Sequence, residues 1–77
     1  MSSYHHNTGL YILRLRQVME RTGLCRSTIY AKLDKTSKLH DPTFPRQIRL
    51  GRGAVGWIES EINAWLAECV SSSRAAS

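Results

Sequence analysis

Seventy-seven residues, 42% of them hydrophobic, are enough for one small domain with a compact core and exclude a multidomain enzyme. Eleven Lys and Arg against six Asp and Glu give a formal charge of +5, so polyanions are the partners this surface attracts most readily. Two cysteines without a C-x-x-C pair argue against a disulfide scaffold or a four-ligand zinc site, and the apolar run Leu10 to Leu13 is too short for a signal peptide or a membrane span.

In chain order, residues 1–9 (MSSYHHNTG) are polar and lack any period, which predicts a flexible arm. His5 and His6 have no third ligand beside them, so no metal site is expected there. From Leu10 onward, Tyr11, Leu13 and Leu15 alternate with Ile12, Arg14 and Arg16, the pattern of a short extended lead-in. A first helix over Gln17 to Arg21, carrying Val18, ends at Thr22-Gly23-Leu24, where Gly23 suits a left-handed terminus. A second helix follows at once. Its 3.6-residue period buries Ile29 and Leu33 and turns Ser27, Ala31, Asp34 and Lys35 outward, with Thr28 and Tyr30 at the flanks and Arg26 in the first turn. Two short helices around a tight turn predict a helix-turn-helix, whose second helix enters a major groove.

Asp41-Pro42 and Phe44-Pro45 make Thr36 to Pro45 a surface loop, with Phe44 its anchor in the core. Arg46 to Leu50 and Val55 to Glu59 alternate in type around Gly51-Arg52-Gly53-Ala54, which predicts a β-hairpin with Arg52 at its tip, a candidate wing. Ile48 and Leu50 share one face of the first strand, and Val55 and Trp57 one face of the second. Ile58, Ile62, Trp65, Leu66 and Cys69 then fall on one face of a third helix, with Ser60 as its cap. Beyond Val70 nothing is left to bury, so residues 71–77 are expected as a disordered tail and residues 10–70 as the folded domain. Trp57 and Trp65 are expected in the core, and both cysteines as small buried hydrophobes.

Charge is unevenly placed. Residues 14–52 hold 10 basic and 3 acidic side chains, whereas residues 53–77 hold 1 and 3, which suggests a binding side and a supporting side. Arg26 and Ser27 are candidates for base edges, Thr28 and Tyr30 for base edges or phosphate, and Lys35 for phosphate. Lys32, with Lys38, would add positive field. Arg49 and Arg52 on the hairpin would grip flanking phosphate or enter the minor groove. Each of these residues also has a plain alternative, a solvated charge or, for Tyr30, a half-buried core aromatic. Catalysis finds little support: His40 beside Asp41 is the one histidine outside the arm, no nucleophile has a base and orienting partner, and no glycine motif cradles a phosphate. No cofactor is implied.

The blocks LRLRQVMERTGLCRSTIY (13–30), DPTFPRQIRLGRGAVGW (41–57) and IESEINAWLAE (58–68) resemble the AlpA family of prophage-associated regulators, grouped with MerR-like and excisionase winged helix-turn-helix domains. The resemblance implies an α+β fold of three helices and a hairpin wing. It also implies sequence-specific binding to double-stranded DNA in the bacterial cytoplasm, at the nucleoid, with no membrane partner. Members act as transcription regulators or as recombination directionality factors, and Arg26, Ser27, Thr28 and Tyr30 on the helix with Arg49 and Arg52 on the wing match their DNA contacts. Binding as a homodimer or cooperative multimer is expected for so small a module. Three departures stand out: Cys25 in place of a capping Ser or Thr, Gly53 and Gly56 at wing positions that are often basic or polar, and a long loop over Thr36 to Thr43. A second reading makes the domain a protein-interaction module acting on an integrase or another regulator through Trp57, Trp65 or the acidic third helix.

Overall fold

The structure, a computed structural model, describes residues 10–76; the arm expected over residues 1–9, with its two histidines, lies outside the described residues. Three helices and a three-stranded antiparallel sheet make a small α+β winged helix-turn-helix, in the order β1 (Ile12–Leu13), α1 (Leu15–Thr22), α2 (Arg26–Leu33), β2 (Ile48–Gly51), β3 (Ala54–Ile58) and α3 (Glu59–Ala76). The extended lead-in is itself a strand, since Ile12 pairs with Ile58 and Leu13 with Trp57. The sheet order is therefore β1-β3-β2, with the hairpin's second strand in the middle.

Local chemistry sets the ends of α1. The Gln17 side chain accepts the Arg14 N–H at 2.9 Å, which supplies a partner to a donor at the start of the helix. At the other end Gly23 takes φ 76° and donates to the Met19 carbonyl at 2.8 Å. Gly23, Leu24 and Cys25 are then the whole turn to α2. Arg21 clamps this unit to α3 through Asn63 and Glu59, at 3.0 and 2.8 Å.

Leu13, Val18, Ile29, Phe44, Trp57 and Ile62 form the fully buried core, so every element except β2 contributes, along with the loop before it. Along β3 the pleat sends successive side chains to opposite faces. Trp57 fills the core and donates from Nε1 to the Pro45 carbonyl at 3.2 Å. Gly56 faces the other way, where an added Cβ would stand 2.5 Å from Ile12 Cγ2 and 3.1 Å from the Leu13 carbonyl oxygen. Gly56 is thus a buried spacer at the base of the hairpin, paired with Ile48, where no polar side chain would fit, so its lack of one has a packing cause. Leu50 sits at a register shift between Arg49 and Gly51 and stays 45% exposed, so it does not share a core face with Ile48.

α3 differs from expectation at both ends. Ile58 belongs to β3, whose ladder runs straight into the helix as Glu59 donates to the Tyr11 carbonyl at 2.7 Å, and Ser60 lies inside the helix and caps nothing. Residues 71–76, expected as a tail, continue the helix. No Gly or Pro interrupts Ser71 to Ala76, so the backbone ladder propagates past the core, and the side chains of residues 71–75 stay exposed.

The loop before β2 is a brace. Asp41 donates its backbone N–H to the Lys32 carbonyl at 2.9 Å, at the end of α2. Its Oδ1 accepts both the N–H and the hydroxyl of Thr43, and its Oδ2 accepts Trp65 Nε1 at 3.2 Å from α3. Lys32 Nζ lies 3.9 Å from the same carboxylate and 5.5 Å over the Trp65 ring, whose edge meets Phe44 at 4.9 Å between centroids. The Thr43 hydroxyl chiefly, with the Thr43 N–H, Trp65 and Lys32 behind it, holds the Asp41 carboxyl below the usual carboxylate range.

Two predictions follow from this packing. Gly56→Ala costs about 2 kcal/mol, because the Leu13 backbone as well as Ile12 must shift, and lowers Tm by roughly 10 °C in a thermal melt. Asp41→Asn removes the charge that Lys32 faces and places an amide where Trp65 donates, a loss of about 1–2 kcal/mol at pH 7. A carboxyl depressed in the fold stabilises fully above its unfolded value and ceases to do so as pH falls through the lower, folded value. Melts from pH 7 down to about pH 2 therefore bring the parent and Asp41→Asn together at the acid end.

Candidate nucleic-acid interface

α2 begins without a side-chain cap. Cys25 takes the cap position with extended backbone (φ −83°, ψ 166°), but its side chain makes no capping hydrogen bond, consistent with sulfur being a weak acceptor. Sγ instead contacts the hydroxyls of Ser27 and Thr28 at 3.3 and 3.2 Å. These hydroxyls, Ser27 first, with the Thr28 and Ser27 backbone N–H groups behind them, lower the Cys25 thiol to about 7. Sulfur takes up the Ser27 and Thr28 N–H groups only weakly, so the first turn keeps donor capacity, and the positive end of the helix dipole points with it. Cys25 and Cys69 are both exposed, against the expectation of burial, since Cys25 stands on the outer corner of the turn and Cys69 lies where α3 has left the core.

From this end α2 presents Arg26 and Ser27, both exposed, with Thr28 half-buried beside them. Ile29 is fully buried beneath, so burial fixes which side of the helix faces out. Tyr30 is 41% exposed, which places its ring on the surface and not in the core. Arg26, Ser27 and Tyr30 thus fall on the open side of one short helix.

Two of the expected contacts sit elsewhere. Lys32 turns toward Trp65 and Asp41 and is only 21% exposed, so it is engaged inside the fold and withdrawn from the open face. Lys35 is exposed but lies beyond the helix, because α2 stops at Leu33. Asp34 ends it: its carboxylate accepts the N–H and hydroxyl of Thr36, at 2.9 and 2.7 Å, and makes a local turn that competes with another helical residue. That Thr36 hydroxyl also lowers the Asp34 pKa. Lys35 and Lys38 are therefore cations of the loop after α2.

On the hairpin, Arg49 is exposed on β2 and Arg52 is exposed at the tip, beside Gly53 with φ 71°. Gly53 needs that conformation for the turn, so its lack of a side chain has a backbone cause. Among the described residues no group of three His, Cys, Asp or Glu side chains could hold a metal ion. No helix among them is long and apolar enough to cross a membrane. Sequence reasoning missed Asp41, which positions α2; the spacing of Asp41 and Thr43 around Pro42, a local side-chain turn pattern, was the available signal.

Comparison with known proteins places this geometry in a family. Residues 11–70 match the family described as Prophage CP4-57 regulatory protein (AlpA). A relative in Escherichia coli (strain K12), named DNA-binding transcriptional activator AlpA, is 44% identical over 64 residues, 83% of this chain and 91% of that protein. The chain is also 44% identical over 55 residues to the uncharacterized protein ORF88 of Enterobacteria phage P4, 71% of this chain and 56% of that one. No solved structure matches it. With a helix-turn-helix, a hairpin wing and a family match over most of its length, the chain belongs to the AlpA family of phage regulatory proteins, which are regulators and not enzymes.

Proposed function

We propose that this protein is a sequence-specific regulator that binds double-stranded DNA in the cytoplasm, with α2 in the major groove and the β2–β3 hairpin on the flanking backbone or minor groove. The observation that carries the reading is the open face of α2, where an uncapped helix start, Arg26, Ser27 and Tyr30 stand together above buried Ile29. Arg26 at the helix start reaches base edges, where a guanidinium can bond a guanine at two atoms. Ser27, Thr28 and Tyr30 serve bases or phosphate, and the first-turn N–H groups receive phosphate oxygen. Lys35, Arg49 and Arg52 neutralise the backbone on either side. Lys32 positions α2 and touches no DNA.

The name of the E. coli relative favours transcriptional activation over a role in excision. A module of this size covers roughly 600–1,000 Å² of its own surface on DNA, which gives modest affinity. Repeated half-sites, occupied by a homodimer or a cooperative multimer, supply the remainder.

Binding measured across a salt series tests this. With about five phosphates neutralised, log K falls against log salt with a slope near −4.5. Arg26→Ala loses about 10- to 100-fold on the cognate site and blurs the preference for one base pair. Arg52→Ala weakens cognate and random duplexes alike and reduces the slope by about 1. Full sequence preference retained by Arg26→Ala would overturn the assignment of α2 as the reading helix.

A further inference from the structure

An open groove of about 840 Å³ lies between α3 and the segment from Asp41 to Ile48. Its apolar lining includes Phe44, Pro45, Ile48, Ala64 and Trp65. None of Arg26, Ser27, Tyr30, Lys35, Arg49 or Arg52 lines it, so a protein bound to DNA through α2 and the hairpin keeps the groove free.

The charge of the groove runs against that of the chain. Asp41, Glu61 and Glu68 line it with Arg46, a balance of −2 on a protein of +5. Asp41 is engaged by Lys32, Thr43 and Trp65, whereas Glu61 and Glu68 make no ion pair among the described residues. These two carboxylates are seven residues apart on α3, about 10.5 Å along the axis, with Ala64 and Trp65 between them. An apolar floor between two acidic posts is complementary to a segment carrying two cations at the same separation and a bulky apolar side chain between them.

We propose that this groove docks a basic amphipathic helix of a partner protein, with its cations on Glu61 and Glu68 and its apolar side chain against Trp65 and Ile48. The inference goes beyond the DNA reading and does not rest on it. In its absence Glu61 and Glu68 are two carboxylates facing solvent.

Fluorescence anisotropy on the full chain tests it with a labelled synthetic helix of about 15 residues, bearing two lysines seven residues apart and leucines between them. A peptide of the same composition in scrambled order is the comparison. The helix is expected to bind at least tenfold more tightly than its scrambled counterpart. Glu61→Gln with Glu68→Gln, and separately Ala64→Arg, alter exposed positions and should each lose at least tenfold in affinity while keeping the parent's circular dichroism. Equal binding of the scrambled peptide would overturn the proposal in favour of bare charge attraction. Unchanged affinity in either variant would place the peptide elsewhere. A concentration-dependent dimer in sedimentation that Ala64→Arg dissociates would show a second copy as the occupant, and would also overturn it.

Discussion

The carboxylate and backbone of Asp41 hold α2 in place. α2 has eight residues and one fully buried side chain, far too little to keep a helix of that length ordered alone. Ile29 supplies the apolar anchor, and Asp41 the polar one, by taking up the Lys32 end of α2 on one side and Trp65 of α3 on the other. A loop that reads from composition as a surface excursion is thereby a strut between two helices. The same arrangement commits Lys32 to the interior, which leaves Arg26, Ser27 and Tyr30 as the outward set.

The sheet does for the hairpin what Asp41 does for α2. β3 is the central strand, with the lead-in strand β1 on one side and β2 on the other. Trp57 packs its core face, and Gly56 admits Ile12 and Leu13 so closely that the strands have no slack between them. Arg14 adds a tie from the start of α1 to the Val55 carbonyl at 2.9 Å. Arg49 and Arg52 therefore project from a braced ribbon, and their spacing from α2 is set by a shared core.

Much of this was legible in the sequence because the signals were local. Gly23 after an apolar-patterned turn, the Gly51-Arg52-Gly53 tip between alternating strands, and Phe44 caught between loop residues are each decided by backbone freedom or by one side chain seeking burial. What escaped was set by partners distant in sequence. Alternation announced β1 as an extended lead-in, but not its pairing with β3, which lies some 45 residues on. Gly56 read as a wing position short of a polar side chain until Ile12 and Leu13 stood against it. Cys25 and Cys69 ranked as buried by residue type, yet one stands at a corner and the other past the end of the core. Among the site residues, the outward placement of Ser27 followed from helix period, whereas Arg26 was placed only in the first turn and Tyr30 at a flank, with a half-buried core position as its alternative. The inward turn of Lys32 required Asp41 and Trp65, which no local pattern connects to it. α3 ran longer than expected because burial was used as the criterion for its end, while a helix already begun continues until something breaks it.

The central claim is that the open face of α2 distinguishes one DNA sequence from another. The most direct test is selection of the purified protein on a randomised duplex pool at about 150 mM salt, with the bound fraction sequenced for the parent and for Arg26→Ala side by side. The account predicts an enriched motif for the parent, repeated at about 10 to 11 base pairs, and loss of information at one position of that motif for the variant. Recovery of random sequence by the parent, or of the same undiminished motif by both proteins, would contradict it.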